Sequence, residues 1–407
     1  MAAGNEISRR RFVGRVGGAA AGLAVGAAPA IVRGVGANES VVYGAIGLGS
    51  RGRRLIQVAR TNPEVQVASL CDVFAARLDA GAKDVGDGVE KVIDYRRILD
   101  RKDIDVVIIA TPEHQHAQPL IDAVHAGKDV YVEKPLCHTI EEGRAMIKAV
   151  RTTKRVVQVG MQQRSAPHYI EARDIIRSGR LGNIYLVTSY WYQDFRGHQT
   201  ARYPVPKGLD WRRFLGSAPW RSVEKEPWRF WDWRYYWDYS GGAMCDNGTH
   251  IWDWVHMLMG DKDSPVSATC TGSKMAIKRW DTPDVFSATL NYENDWVSTL
   301  SFNYTEHYPL GHFHGSLFHG TDGLIEVNRS GFAFYPRGSK VPEQEGKNQG
   351  MDPFHTRNFL DCVKSRERPN ADIAIGYQGV RSSLLANLAY REERQVRFDP
   401  RLQRVLR

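Results

Sequence analysis

The chain has 407 residues, 42% of them hydrophobic and 25% charged, with a formal net charge of +9. That balance excludes a disordered or collagenous chain and leaves room for two domains with cores of their own. Nor does the charge point to nucleic acid: residues 1–37 hold Arg9, Arg10, Arg11, Arg15 and Arg33 against Glu6 alone, a net of +4, and no basic stripe with interleaved aromatics follows.

The N-terminus reads SRRRFVG, then VGGAAAGLAVGAAPAIV, with small residues at Ala28, Ala30 and Ala37 that suit a signal peptidase. It resembles a twin-arginine export signal with Arg9 and Arg10 as the pair, and predicts an exported, periplasmic protein. So much Ala and Gly makes a poor spanning helix, so no stable membrane insertion of the mature chain is expected. The five cysteines, Cys71, Cys137, Cys245, Cys270 and Cys362, are scattered and give neither a disulfide framework nor a zinc spacing. No metal is expected.

Residues 41–46, VVYGAI, read as a buried strand, followed at once by Gly47-Leu48-Gly49-Ser50-Arg51-Gly52 and a helical pattern. In that context Gly47 makes a tight turn, Gly49 admits a pyrophosphate, and Gly52 lets the helix pack on the sheet, its N-terminal N–H groups facing the phosphates. A second strand at 65–70 ends in Cys71 and Asp72, placed where an acid meets the ribose hydroxyls. Asp72 argues for NAD; Arg51 and Arg77 leave NADP open.

Residues 106–110 and 130–132 continue the strand, loop, helix rhythm of a doubly wound sheet. The loop Thr111, Pro112, Glu113, His114, Gln115, His116 falls at a strand's carboxyl end and is expected to face the cofactor. In VYVEKPLCHT, Pro135 disfavours helix at the preceding residue, so Lys134 sits in extended backbone where open sheets bind ligands. Read alone, Glu133 and Lys134 are an ordinary surface ion pair. After a strand at 156–159 the pattern changes: IYLVTSYWY, SATCTGSKM, FSATLNY and WVSTLSFNY predict a mostly antiparallel sheet, with helices near 249–259, 353–365 and 377–391.

Asp246 and His250 are four apart, on one face of a helix. Read alone, Asp246 is equally a helix N-cap and His250 a satisfied core histidine. The segment PWRFWDWRYYWDYS, residues 227–240, is crowded with rings, most of them expected to be packing or interface; Asp232, Arg234 and Asp238 are candidates for sugar hydroxyls.

Taken in order, the glycine motif, TPEHQHA, VEKP, LDWRRFLGSAP at 209–219 and GGAMCDNGTHIWD at 241–253 resemble the glucose-fructose oxidoreductase, inositol dehydrogenase and rhizopine-catabolism (Gfo/Idh/MocA) family. Beyond the export segment at 1–37, the resemblance implies an α/β fold: an N-terminal Rossmann domain at 38–160 and a C-terminal α/β domain at 161–407 with a large open, mostly antiparallel sheet, its last helices packing back on the Rossmann domain. It implies hydride transfer between a sugar or polyol hydroxyl carbon and NAD(P), which an exported enzyme should carry tightly bound; the chemistry suits His250 as base, Lys134 as polarising or relay group and Asp246 as the group orienting them, or the lysine and histidine roles exchanged. Gly47, Gly49, Ser50, Arg51, Gly52, Asp72, Thr111, Pro112, His116, Glu133 and Lys134 would hold the cofactor. Gln163, Arg164, Trp233, Arg234 and His250 would meet substrate, with Gln162 and His168 nearby. A homodimer or homotetramer is expected. The alternatives are a redox-neutral glycoside-cleaving enzyme working through a transient keto-sugar, and a non-catalytic NAD-binding sensor.

Overall fold

The computed structural model describes residues 40–406 apart from 307 and 310, so the export-signal reading of residues 1–37 lies outside the described residues. Six apolar runs, β1 (Val41–Ile46), β2 (Val65–Cys71), β3 (Glu90–Val92), β4 (Val106–Ile109), β5 (Asp129–Val132) and β6 (Val157–Val159), pair in parallel in the order β3-β2-β1-β4-β5-β6. Every residue of β4 and β5 is buried, as a sheet covered on both faces requires. Strand order reverses between β1 and β4. The crevice beyond their carboxyl ends is therefore the ligand position of this sheet.

A second sheet holds β7 (Ile184–Tyr192), β8 (Pro265–Ser273), β9 (Val285–Tyr292), β10 (Val297–Asn303), β11 (His314–Gly320), β12 (Gly323–Asn328), β13 (Gly331–Pro336), β14 (Gln344–Lys347), β15 (Val396–Asp399) and β16 (Arg404–Leu406). Their order is β14-β13-β12-β11-β7-β10-β9-β8-β15-β16, and among these pairs only β7 with β10 is parallel. Along β7, Val187, Ser189 and Trp191 are buried while their neighbours are partly or fully exposed, the period-two signature of a sheet covered on one face. The covering layer includes the helices Pro167–Arg177, Gly248–Met259 and Ile373–Glu392. Residues 248–258 are all buried, because that helix is enclosed on every side.

The last two long helices join the domains. Phe359, Leu360 and Val363 of the helix Asp352–Ser365 pack with Val41, Tyr43 and Val106 of the parallel sheet. The helix Ile373–Glu392 straddles both cores, Tyr377 and Val380 lying with Val130 and Val159, and Leu385 and Ala386 with the second sheet's cluster.

Candidate active site

The three motif glycines do three different things. Gly47 has φ +89°, and a Cβ there would come within 2.7 Å of the Ala110 backbone. At Gly52 a Cβ would stand 1.9 Å from the Gly47 oxygen, so this position fixes how closely helix and sheet pack. Gly49 has open space on its Cβ side, with only Arg77 Nη1 as near as 4.0 Å. The helix Ser50–Ala59 begins there without a side-chain cap, leaving its first N–H groups free for an anion.

At this loop a cleft of about 340 Å³ opens, lined by Ser50, Arg51, Asp72, Arg77, Asp94, Thr111 and Pro112 and, from the second domain, by Trp233 and Arg234. The glycine cradle and free helix N-terminus beside it fit a dinucleotide. NAD bound there supplies a hydride acceptor.

Two of the residues expected on the cofactor, His116 and Glu133, serve the scaffold instead. Asp72 lines the cleft and also braces the glycine loop: its Oδ2 accepts from Leu48 N at 2.6 Å and its Oδ1 from Phe74 N at 2.8 Å, each oxygen keeping a lone pair for a further donor. Burial raises its pKa despite those bonds. His116 is buried with its ring between the Pro135 oxygen (2.7 Å) and the Thr111 oxygen (2.8 Å), so it ties two loops together and faces away from the cleft. Glu133 is buried outside the cleft lining, where Oε1 accepts from Arg51 Nε at 2.7 Å and Oε2 from Lys134 N at 3.2 Å. Arg51 also grips Asp352 through Nη1 at 3.0 Å, while its buried Nη2 has no partner.

Lys134 ends β5's extension and crosses to the other domain. Its Nζ donates to Asp246 Oδ1 at 2.7 Å and to the Asp246 main-chain oxygen at 2.9 Å; Arg234 Nε stands 3.4 Å from the same Oδ1. Burial opposes ionisation of Asp246, yet the two cations outweigh it and hold the carboxyl down at about 2. Asp246 is therefore no N-cap: that position belongs to Asn247, which makes no side-chain cap bond. His250, one turn on, is buried, and its Nδ1 has no partner, so it is not a satisfied core histidine. Burial first, then Lys134, Arg329 and Arg51, push its pKa well below 6.5 and keep the ring neutral.

Glu113 lies in the loop expected to face the cofactor but serves the contact between the domains. It is buried, its Oε1 2.5 Å from the Ser240 hydroxyl and its Oε2 accepting from Gly241 N at 3.4 Å. Burial raises its pKa to about 8. It joins the Thr111 loop to the turn that carries Asp246.

Among the residues expected on substrate, Trp233 and Arg234 line the cleft, with the Arg234 guanidinium 4.4 Å from the Trp233 ring. Arg164 is corrected: it is buried in an ion pair with Asp253 (2.7 Å) and Asp261 (2.7 Å) and anchors the helix Gly248–Met259. Gln163 is fully buried and neither amide atom has a partner. Asp232 accepts from Tyr203 and contacts His198, and Asp238 pairs with Arg221, so both are occupied. Phe230, Tyr235, Tyr236 and Tyr239 are core packing.

A dinucleotide cradle facing a Lys, Asp and His cluster across two domains defines a class of nicotinamide-binding α/β protein. The profile described as an oxidoreductase family with an NAD-binding Rossmann fold matches residues 41–161, and that of the GFO/IDH/MocA C-terminal domain matches residues 213–326. The rhizopine catabolism protein MocA of Rhizobium meliloti is 30% identical over 299 residues, 73% of this chain and 80% of that one. The chain belongs to the Gfo/Idh/MocA oxidoreductase family, and NAD is its cofactor. It is also similar to the inositol 2-dehydrogenase of Rhizobium meliloti (strain 1021), 30% identical over 59% of this chain and 60% of that one, and to the Bacillus subtilis oxidoreductase YrbE, 26% identical over 56% and 57%. The chain thus spans less than two thirds of the length of these two relatives. Levoglucosan dehydrogenase in complex with NADH and levoglucosan shares the fold, with TM-score 0.71 and 21% identity over 88% of this chain and 99% of that one. So does the WlbA dehydrogenase of Bordetella pertussis in complex with NADH and UDP-GlcNAcA, with TM-score 0.70 and 20% identity over the same shares.

Proposed function

We propose that the protein is an NAD-dependent oxidoreductase that oxidises a secondary hydroxyl of a sugar or polyol. The observation that carries this is the meeting of the Lys134–Asp246 pair and a neutral His250 whose Nδ1 has no partner, beside the NAD cleft. The His250 ring accepts the hydroxyl proton, because a neutral imidazole is the one group of the cluster able to take it. Lys134, held in place by Asp246, donates to the substrate oxygen as it becomes a carbonyl. Asp246 fixes the lysine, and Arg234 keeps Asp246 ionised. Relatives named as acting on inositol and levoglucosan support a polyhydroxy substrate.

Residues 1–37 are proposed to direct export by the twin-arginine route, with NAD carried out already bound and regenerated in place, and the protein is proposed to work as a homodimer or homotetramer. The test is to purify the mature protein without added cofactor, denature it and assay the supernatant for NAD(H) and NADP(H). Stoichiometric NAD supports the closed-cycle reading, and sugars and polyols can then be screened by the bound nicotinamide's absorbance. An empty protein sinks tight binding, and no absorbance change with any polyhydroxy compound sinks the oxidoreductase.

A further inference from the structure

We propose that the substrate is an acidic sugar whose carboxylate is bound by Arg329, an inference that rests on the polyhydroxy-oxidising reading of the same site. Trp191 pairs with His314 across β7 and β11, and Ser316 of β11 lies opposite Val327 of β12, so Arg329, in the turn directly after β12, comes to the same end of the sheet. The three side chains meet there. The Trp191 and His314 rings are 4.6 Å apart, and the Arg329 guanidinium lies 5.0 Å from the centre of the Trp191 ring.

This row packs against the helix that carries His250: the His314 ring lies 6.5 Å from that of Trp254, one turn on from His250 in the same helix. Arg329 and His314 both act electrostatically on His250, and Asp246 on Arg329. What distinguishes Arg329 is its charge balance. Arg51 is matched by Glu133 and Asp352, and Lys134 and Arg234 share Asp246. Among the described residues Arg329 has no carboxylate partner, and its buried Nε has no hydrogen-bond partner at all. Glu326, the acid of the preceding strand β12, points to the opposite face of the sheet from Ile325 and Val327, towards Tyr190.

Further unmet groups surround the position. Both ring nitrogens of buried His314, Nδ1 of buried His250 and the hydroxyl of buried Tyr169 lack partners. Buried polar groups are seldom left so, and several converging mark where a polar ligand completes them. A guanidinium stacked on an aromatic ring leaves its N–H edge free, and that fork matches a carboxylate. Arg329, with no carboxylate of its own, is left to pair with an anionic group of the substrate. The hydroxyl to be oxidised then faces His250 and Lys134, with the acid group held towards the second sheet.

The test uses the NAD-loaded protein and follows tryptophan fluorescence during titration with D-glucuronate, D-gluconate, D-glucose, myo-inositol and D-glucose 6-phosphate. The acids should bind tighter than the neutral compounds by on the order of tenfold or more, and Arg329→Gln should abolish that preference while Arg329→Lys keeps part of it. NAD affinity, measured alongside, shows that each variant is folded. Equal or tighter binding of the neutral compounds, tightest binding of the phosphate ester, or an acid preference that survives in Arg329→Gln overturns the proposal. Reduction of NAD by neutral polyols but not by acids would sink this inference alone. Arg329-dependent binding of acids without turnover of any compound would sink the oxidoreductase reading alone.

Discussion

Lys134 and Asp246 lie 112 positions apart in the chain, and the lysine ammonium donates both to the main-chain oxygen of Asp246 and to its Oδ1. The two domains therefore share one charged unit at the carboxyl edge of the parallel sheet. With side-chain exposures of 14% and 16%, the pair is screened little by water, yet it remains reachable.

Lys134→Met and Asp246→Asn should each lower kcat by on the order of 10²–10⁴-fold, the range of a lost polarising or proton-transfer group. NAD affinity should stay within a few-fold, since neither side chain lines the cleft. Steady-state kinetics with a parallel NAD titration checks this. Wild-type kcat in both variants would remove the pair from the chemistry.

His250 titrates well below the ordinary histidine value, because burial and the surrounding cations oppose its protonation. The ring is thus neutral, and able to accept a proton, on both sides of neutrality. The acid limb of kcat/KM against pH should lie well below about 6.5, and His250→Ala should cost on the order of 10²–10⁴-fold. An inflection at the ordinary histidine value that vanishes in the variant would contradict the burial argument while keeping the residue in the mechanism.

Glu113 shows how far the sequence could be read. The glycine motif, TPEHQHA and VEKP are local patterns, and each landed beside the cleft or beneath it. Whether a carboxylate in such a loop meets ligand or scaffold depends on partners far along the chain: Ser240 for Glu113, and Arg51 for Glu133. Asp72 stands in the expected place at the cleft, but its second task, bracing the Leu48 and Phe74 amides, is one that no pattern announces. The central strands of the second sheet were legible from alternation, whereas β11 to β14 are short and rich in glycine at their ends and gave no clear period.

The raised pKa of Glu113 makes a stability prediction. A carboxyl lifted from 4.5 to about 8 in the folded protein contributes stability that is fully present below 4.5 and is lost as pH rises through about 8. Glu113→Gln cannot ionise and escapes that loss. Its Tm relative to wild type should rise between about pH 6 and about pH 9, by the equivalent of a few kcal/mol at most. Thermal melts at both values measure it, and parallel curves would mean that Glu113 is ionised in the folded state.

Gly49 and Gly52 belong to one motif, yet their substitution should fail in different ways. A Cβ at Gly52 would stand 1.9 Å from a backbone oxygen that cannot move without disturbing the Gly47 turn. Gly52→Ala should therefore destabilise the fold, by roughly 1–3 kcal/mol for overpacking of this kind. A Cβ at Gly49 meets nothing nearer than the flexible end of Arg77, and its φ of −62° suits any L-residue. Gly49→Val should keep the wild-type Tm, but its side chain enters the space where the cofactor's pyrophosphate approaches the helix N-terminus, so NAD affinity should fall by on the order of tenfold or more. Melting curves combined with NAD titration separate the two cases. If Gly49→Val melts early, the loop's shape depends on that glycine for folding; if it binds NAD as wild type does, the pyrophosphate does not lie against this loop.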